Sequence, residues 1–345
     1  MRTRQKGGKK MWSSMKHAIV LAFLVILVSF SKTYALPGDT ISIHSLPGGY
    51  EGGLAWDGTN FWGTRWTNNI VFQFDIDISG NSNIIKSLSI LGGFLTGIAW
   101  DGSSLWVSDG IGGTGHIYHM DTSGTVLSSF SSPGGGGLAW DGKYLWQSDY
   151  LSDTIWQIDT SGNIVSSFKA PTPSSPCYPC GFSALTFDGT HLYYVNNWDE
   201  NGTIYQIDRA GKIISFFRAP VVDAVGITWD GNSLWLSSSL GLYQIEGGTA
   251  SPKEMIGLVQ EFFDIWVSEG GLKGSGPGNS GKARLKAIGA RLQDSETLID
   301  KLCQQLLDIY NSTDGNPSPP DYVVGDAIPV LAREIQILRT GLGCP

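Results

Sequence analysis

One phrase recurs along this chain and restricts its fold more than any other feature. It reads Gly-Leu-Ala-Trp-Asp-Gly, a two-residue gap, then Leu-Trp. Copies begin at Gly53, Gly97, Gly137, Ala184 and Gly226, the fourth reading Ala184-Leu-Thr-Phe-Asp-Gly189 and then Leu192-Tyr193. The Asp-Gly pairs start at Asp57, Asp101, Asp141, Asp188 and Asp230, a period of 40–47 residues. Asp-Gly between two short apolar runs signals a tight hairpin, because glycine accepts the positive φ such a turn needs. The run before it opens on Gly, as expected for a strand near a crowded axis. After the turn, Leu-Trp-x-Ser-Asp alternates apolar and polar residues at the period of a half-buried strand.

Two further runs complete each copy. Ile117–Asp121, Ile155–Asp159 and Ile204–Asp208 supply a third strand. After a Ser-Gly or Ala-Gly turn, Val126–Phe130, Ile164–Phe168 and Ile213–Phe217 supply a fourth. Four strands at this period predict the blades of an all-β five-bladed β-propeller. The fifth copy has a third run, Leu242–Glu246, but no fourth, whereas residues 40–46 form an orphan run of the fourth type. The N-terminal strand is therefore expected to close the last blade and remove the free edge at the joint.

The expected domain layout is a signal peptide at 1–35, the propeller at 36–247, a linker at 248–252 and a helical module at 253–345. Six Lys/Arg from Arg2 to Lys16 precede an apolar stretch, Ala18–Phe30, and small residues near Ala35 suit cleavage. Thirteen apolar-run residues fall short of the roughly 20 that span a bilayer, so no membrane span is expected after cleavage. The leader holds seven of the 23 Lys/Arg and none of the 31 acids, leaving 16 against 31, a net charge of −15. That balance excludes nucleic acid as a partner. A small molecule, a glycan or a peptide remains open, and the expected location is secreted, periplasmic or cell-surface.

Four cysteines in the mature part suit an oxidising compartment. Of the three possible pairings, Cys177–Cys180 with Cys303–Cys344 is the simplest. Cys177 and Cys180 lie in the longest inter-blade loop, where a loop staple is expected rather than a redox or zinc site. Beyond Gly247 the period changes. Met255, Leu258, Val259, Phe262, Phe263 and Trp266 recur three and four apart, and Leu298–Ile309 and Ile328–Leu342 repeat that helical pattern.

Eight residues beyond each turn Asp stand Arg65, Asp109, Asp149, Asn196 and Ser238, followed among others by Trp66, Tyr150 and Asn197. In a propeller these positions fall on one face, near the mouth of the central channel. Together they are the candidate ligand-binding residues, with Asp109 and Asp149 able to take a divalent cation such as calcium. The five turn aspartates recur in every copy and are assigned to folding, as is the Asp closing the third strand (Asp75, Asp121, Asp159, Asp208). The four mature-chain histidines form no ligand pair, and no nucleophile elbow, phosphate loop or EF-hand loop is present.

Residues 40–246, with third strands reading Ile-x-x-Ile-Asp and a Ser-Gly turn, resemble secreted bacterial propellers of the NHL and streptogramin-lyase type. The lyases use a catalytic His with a metal-binding acid. The five-blade count is also similar to plant-type glutaminyl cyclases, whose first blade has Glu-Ser-Thr-Gly where this chain has Trp62-Gly-Thr-Arg65. Leu272–Ser280, Lys282–Leu285 and Pro319–Val323 resemble a helical module appended to secreted bacterial proteins. The expected function is a secreted, non-catalytic binding or scaffold propeller. The alternative is a propeller lyase, hydrolase or glutaminyl-cyclotransferase-like enzyme, with Asp109 or Asp149 as general base and with or without a divalent cation.

Overall fold

The computed structural model describes residues 35–47, 52–90, 93–110, 115–149, 152–171, 183–196, 202–270, 272–274, 299–311, 323–324, 328–341 and 344. Strand β1 (Thr40–His44) comes first and its role appears only at the end of the chain. Blade 1 is β2 (Leu54–Trp56), β3 (Phe61–Arg65), β4 (Ile70–Ile76) and β5 (Ser82–Ser89). Blade 2 is β6 (Leu95–Trp100), β7 (Leu105–Asp109), β8 (Gly115–Met120) and β9 (Val126–Ser132). Blade 3 is β10 (Leu138–Trp140), β11 (Leu145–Asp149), β12 (Thr154–Ile158) and β13 (Ile164–Lys169). Blade 4 is β14 (Ser183–Phe187), β15 (Leu192–Asn196), β16 (Thr203–Ile207) and β17 (Ile213–Arg218). Blade 5 is β18 (Gly226–Trp229), β19 (Leu234–Ser238) and β20 (Gly241–Ile245), completed by β1 in the order β1-β20-β19-β18. The protein is a five-bladed β-propeller of antiparallel four-stranded sheets, closed by its N-terminal strand.

Closure is a register fact. Ser42 pairs with Gln244, Ile43 with Tyr243 and His44 with Leu242. The Gly38 N–H donates to the Glu246 carbonyl and the Glu246 N–H to that of Asp39, both within 2.9 Å. The joint therefore has the same ladder as an unbroken blade, and its edge is paired rather than bare.

The recurring phrase explains itself once folded. Gly58, Gly102, Gly142, Gly189 and Gly231 take φ between 92° and 103°, the conformation that makes Gly obligatory after Asp in this turn. At the head of the phrase, a Cβ on Gly137 would come within 2.6 Å of the Ala184 Cα. Inner strands of neighbouring blades approach there too closely for a side chain. In blade 1 the Asp57 Oδ1 accepts the Thr59 and Asn60 N–H groups, while Oδ2 accepts the Trp62 indole N–H at 2.8 Å. The same indole bond joins Trp106 to Asp101 (3.0 Å), Trp146 to Asp141 (2.9 Å) and Trp235 to Asp230 (2.6 Å). The turn aspartate thus ties the tightest turn of each of these blades to the largest side chain of its core. At the other recurring Asp the structure corrects the sequence assignment. Asp77, not Asp75, matches Asp121, Asp159 and Asp208, its Oδ1 accepting the Ser79 and Asn81 N–H groups.

Three helices lie among the described residues of the C-terminal segment: α1 (Pro252–Glu269), α2 (Ile299–Tyr310) and α3 (Ile328–Gly341). Ser251 and Glu254 form a reciprocal capping box at the start of α1, with Pro252 at the first helical position. Gly270 ends it at φ 80°. A short strand pair, Lys273–Gly274 with Val323–Val324, had no signal in the sequence. Cys303 of α2 is bonded to Cys344, with Cα atoms 5.3 Å apart, as expected. Cys177 and Cys180 lie outside the described residues. The helices pack on blade 4: Met255, Val259, Phe262 and Phe263 of α1 and Leu331, Ile335 and Leu338 of α3 share one buried cluster with Phe216, Phe217 and Tyr205. Residues 37–345 form one compact unit. Among the described residues no helix is long and apolar enough to cross a membrane.

Candidate functional site

Each blade turns from its second to its third strand on the face where chain also crosses to the next blade. Arg65, Asp109, Asp149, Asn196 and Ser238 are the last residues of β3, β7, β11, β15 and β19, so the five positions are structurally equivalent. Their side chains differ in what they do. Asp109 is buried, and its Oδ1 accepts the His116 N–H at 2.5 Å. Its Oδ2 accepts the Gly93 N–H at 3.2 Å and the Tyr118 hydroxyl at 3.0 Å. Burial first, then the hydrogen bond and charge of Asp109, push the Tyr118 phenol up to about 12, so at neutral pH it stays a donor. Asp149 is buried and accepts the Ser152 N–H at 3.2 Å. Buried Ser238 accepts the Leu240 N–H at 3.1 Å. All three hold the turn that follows them.

Arg65 and Trp66 behave otherwise. Both are half-buried. The Arg65 guanidinium lies 5.3 Å from the Phe72 ring centroid and donates to the Pro47 carbonyl at 3.1 Å. Trp66 meets Phe94 with ring centroids 5.9 Å apart and planes inclined by 31°. Tyr150 and Asn197 lie outside the described residues, as does the side chain of Asn196. Among the described residues no three His, Cys, Asp or Glu side chains group as ligands for a metal ion.

The channel itself contains a cavity of about 80 Å³. Its walls are the inner strands of all five blades, and Trp56, Trp100, Trp140, Phe187 and Trp229 ring it at the Asp-Gly end. These aromatic rings are wedges between blades: Trp140 stacks on Trp106 of the preceding blade at 6.3 Å and 12°. None of Arg65, Trp66, Asp109, Asp149 or Ser238 lines that cavity. The expected site is thus a face around the opposite rim.

Several residues of this face carried no signal in isolation. The Thr64, Ser108 and Ser148 hydroxyls accept the N–H groups of Gly53, Gly97 and Gly137 at 2.7–3.0 Å. Ser108 also donates to the Gly136 carbonyl of the next blade at 3.0 Å. Ser or Thr two positions after the phrase's second aromatic was the available clue. Asn69, with φ 54°, holds the Phe94 N–H through its Oδ1 at 3.0 Å and the Ile90 N–H through its carbonyl at 3.1 Å. That clamp joins positions 25 residues apart.

No protein-family model and no curated protein matches the chain. Among solved structures it is similar to the glutaminyl cyclase of Myxococcus xanthus, with a TM-score of 0.49 and 15% identity over 62% of this chain and 98% of that one. It is similar to virginiamycin B lyase from Staphylococcus aureus, with a TM-score of 0.37 and 20% identity over 59% and 69%. It is also similar to BamB from Moraxella catarrhalis, with a TM-score of 0.32 and 12% identity over 56% and 71%.

Proposed function

We propose that the protein is a secreted binding or scaffold propeller without catalytic activity, which takes its ligand on the rim where the second strands end. One observation carries the reading. Both oxygens of Asp109, the carboxylate an enzyme would need there, already accept N–H and O–H groups of the protein. A general base must reach the proton it removes, and a buried carboxylate engaged on both oxygens holds the loop instead. Asp149 and Ser238, also buried, each accept an N–H of the turn that follows them. Arg65 and Trp66, half-buried at the end of β3, are the described rim residues that this reading assigns to the ligand. The basic, apolar leader and the Cys303–Cys344 disulfide support export to an oxidising compartment.

The test separates a loop-holding acid from a catalytic one. Asp109→Asn removes the charge from a buried acceptor, at an expected loss of about 1–3 kcal/mol in stability. The thermal shift produced by calcium chloride, neutral oligosaccharides or short peptides is expected to persist in the variant. Turnover of a glutaminyl peptide or opening of a cyclic depsipeptide by the native chain, lost in Asp109→Asn, would establish the enzyme reading instead.

A further inference from the structure

We infer that Trp66 and Phe94 form an aromatic ledge that stacks against a sugar ring of a neutral glycan. The inference rests on reading this rim as a binding face and names the ligand class. Phe94 is 47% exposed and has φ 51°. A bulky residue in the left-handed region is a genuine outlier, and such strain persists only where the surroundings impose it. Here Asn69 imposes it, accepting the Phe94 N–H with its side chain and the Ile90 N–H with its carbonyl. Gly93 stands immediately before Phe94 without a positive φ, so the strained conformation falls on the aromatic residue.

Folding alone does not require an aromatic residue there. Three residues ahead of the third, fourth and fifth phrase copies stand Gly134, Gly181 and Asp223, and only the first, with Tyr50, shares an aromatic residue there. The strain therefore maintains an exposed ring at one blade junction, tilted 31° against Trp66 so that the pair offers a shallow apolar shelf. Next in sequence to the two rings the charges are already engaged: Asp109 is tied to Gly93, His116 and Tyr118, and Arg65 lies over Phe72 and donates to the Pro47 carbonyl. A cationic ligand would meet a guanidinium and an engaged carboxylate. An anion would meet a guanidinium already engaged with the Pro47 carbonyl and Phe72, on a mature chain of net charge −15 from 16 Lys/Arg against 31 acids. A saccharide has what the shelf fits, an apolar C–H face for the two rings on a molecule that carries no charge.

The experiment uses the full chain and four probes, the tetrasaccharides of cellulose, xylan, chitin and starch, measured by titration calorimetry. Saturable binding of at least one is expected. Trp66→Ala and Phe94→Gly should each weaken it by about tenfold or more. Phe94→Trp should restore it. Phe94→Gly should meanwhile melt no lower than the native chain, since glycine relieves the strain; this separates loss of the ligand surface from loss of fold. Absence of binding to all four probes, or binding that survives both variants, would overturn the ledge. Binding of a short peptide that requires Arg65 but neither ring would overturn the glycan and leave the rim as a binding face.

Discussion

Blade 4 and blade 3 are built from the same repeat and treat their outer edges in opposite ways. In blade 3 the outer strand is bare, with Ile164 and Val165 exposed by 55% and 48%. In blade 4, Ser215, Phe216 and Phe217 of the outer strand are buried, and helices α1 and α3 lie on it. Blade 4 is also the copy that departs from the phrase: Phe187 replaces the first Trp, Tyr193 the second, and Val195 the Ser/Thr. Tyr193 shows why. Where Trp146 donates to Asp141, the Tyr193 hydroxyl interacts with Asp188 and also donates to the Gly248 carbonyl and accepts the Gly248 and Gln206 N–H groups. Gln206 Oε1 in turn accepts from Thr249 and Ser215, and Ser215 accepts the Ala250 N–H. The repeat has changed where the rest of the chain comes down on it, and residues 248–250 are bonded to the blade rather than strung between two bodies.

The largest effect that can break this comparison comes from the covered edge. Phe216 is fully buried beneath the helices, and Phe216→Ala is expected to cost about 3–5 kcal/mol, read as a fall in the denaturation midpoint. If the helices merely hung beside blade 4, the cost would be that of a half-exposed site, below about 1 kcal/mol. The salt bridge between Arg218 and Glu261 crosses the same interface but is exposed on both sides, so its removal should not approach the loss at Phe216.

A smaller effect probes what the other blades retain and blade 4 has given up. Burial alone would raise the Asp57 carboxyl, but the N–H groups of Asn60, Trp62, Thr59 and Gln73 together outweigh it and hold it below its usual 3.8. A carboxyl depressed in the folded state contributes stability above its unfolded pKa, and that contribution is lost as pH falls through the folded value. Trp62→Phe removes one of the four donors and part of a buried ring, at about 2–4 kcal/mol. It should also move the acid-unfolding midpoint of the chain upward, toward pH 4, where Asp57 ordinarily titrates. Tyr193→Phe at the equivalent position of blade 4 should cost stability through the contacts its hydroxyl makes to Gly248 and Gln206. An unchanged acid midpoint in Trp62→Phe would show that the indole bond does not hold the turn.

These contrasts mark what was legible beforehand. Period, turn chemistry and the orphan run at 40–46 disclosed the blades and their closure, because each is a local or strictly repeated property. The partner of each Trp indole was five residues away, yet it needed the folded turn to be seen. At Phe74–Asp77 the sequence offers two acids, and alternation alone does not say which one ends the strand. The docking of α1 and α3 on blade 4 was hidden for a different reason: a helical apolar stripe reveals that a face is buried but not against what. At the rim, counting eight residues from each turn found equivalent positions and missed that Asp109, Asp149 and Ser238 face their own loops. Asn69's positive φ and carbonyl bond recur at Asp153 with Ala170 and at Gly202 with Ala219, but its side-chain bond to Phe94 belongs to one junction, which no repeated pattern could disclose.

The smallest expected effect sharpens the comparison from its other side. The outer strands of blades 1–3 carry paired apolar residues at their start: Ile84 and Ile85, Val126 and Leu127, Ile164 and Val165, all between 45% and 55% exposed. In blade 4 the corresponding Ile213 and Ile214 are half-buried. Ile164→Thr keeps the β-branched shape that suits a strand and gives up little burial, so the change in stability should stay within about 0.5 kcal/mol. The same substitution at Ile213 removes an apolar group that packs against the helix-bearing core, and should cost distinctly more. Equal costs at the two positions would mean that covering an outer edge adds nothing to what the strand already gains from its neighbour. The difference between them, measured on side chains of identical type and register, is the contribution of the cover alone.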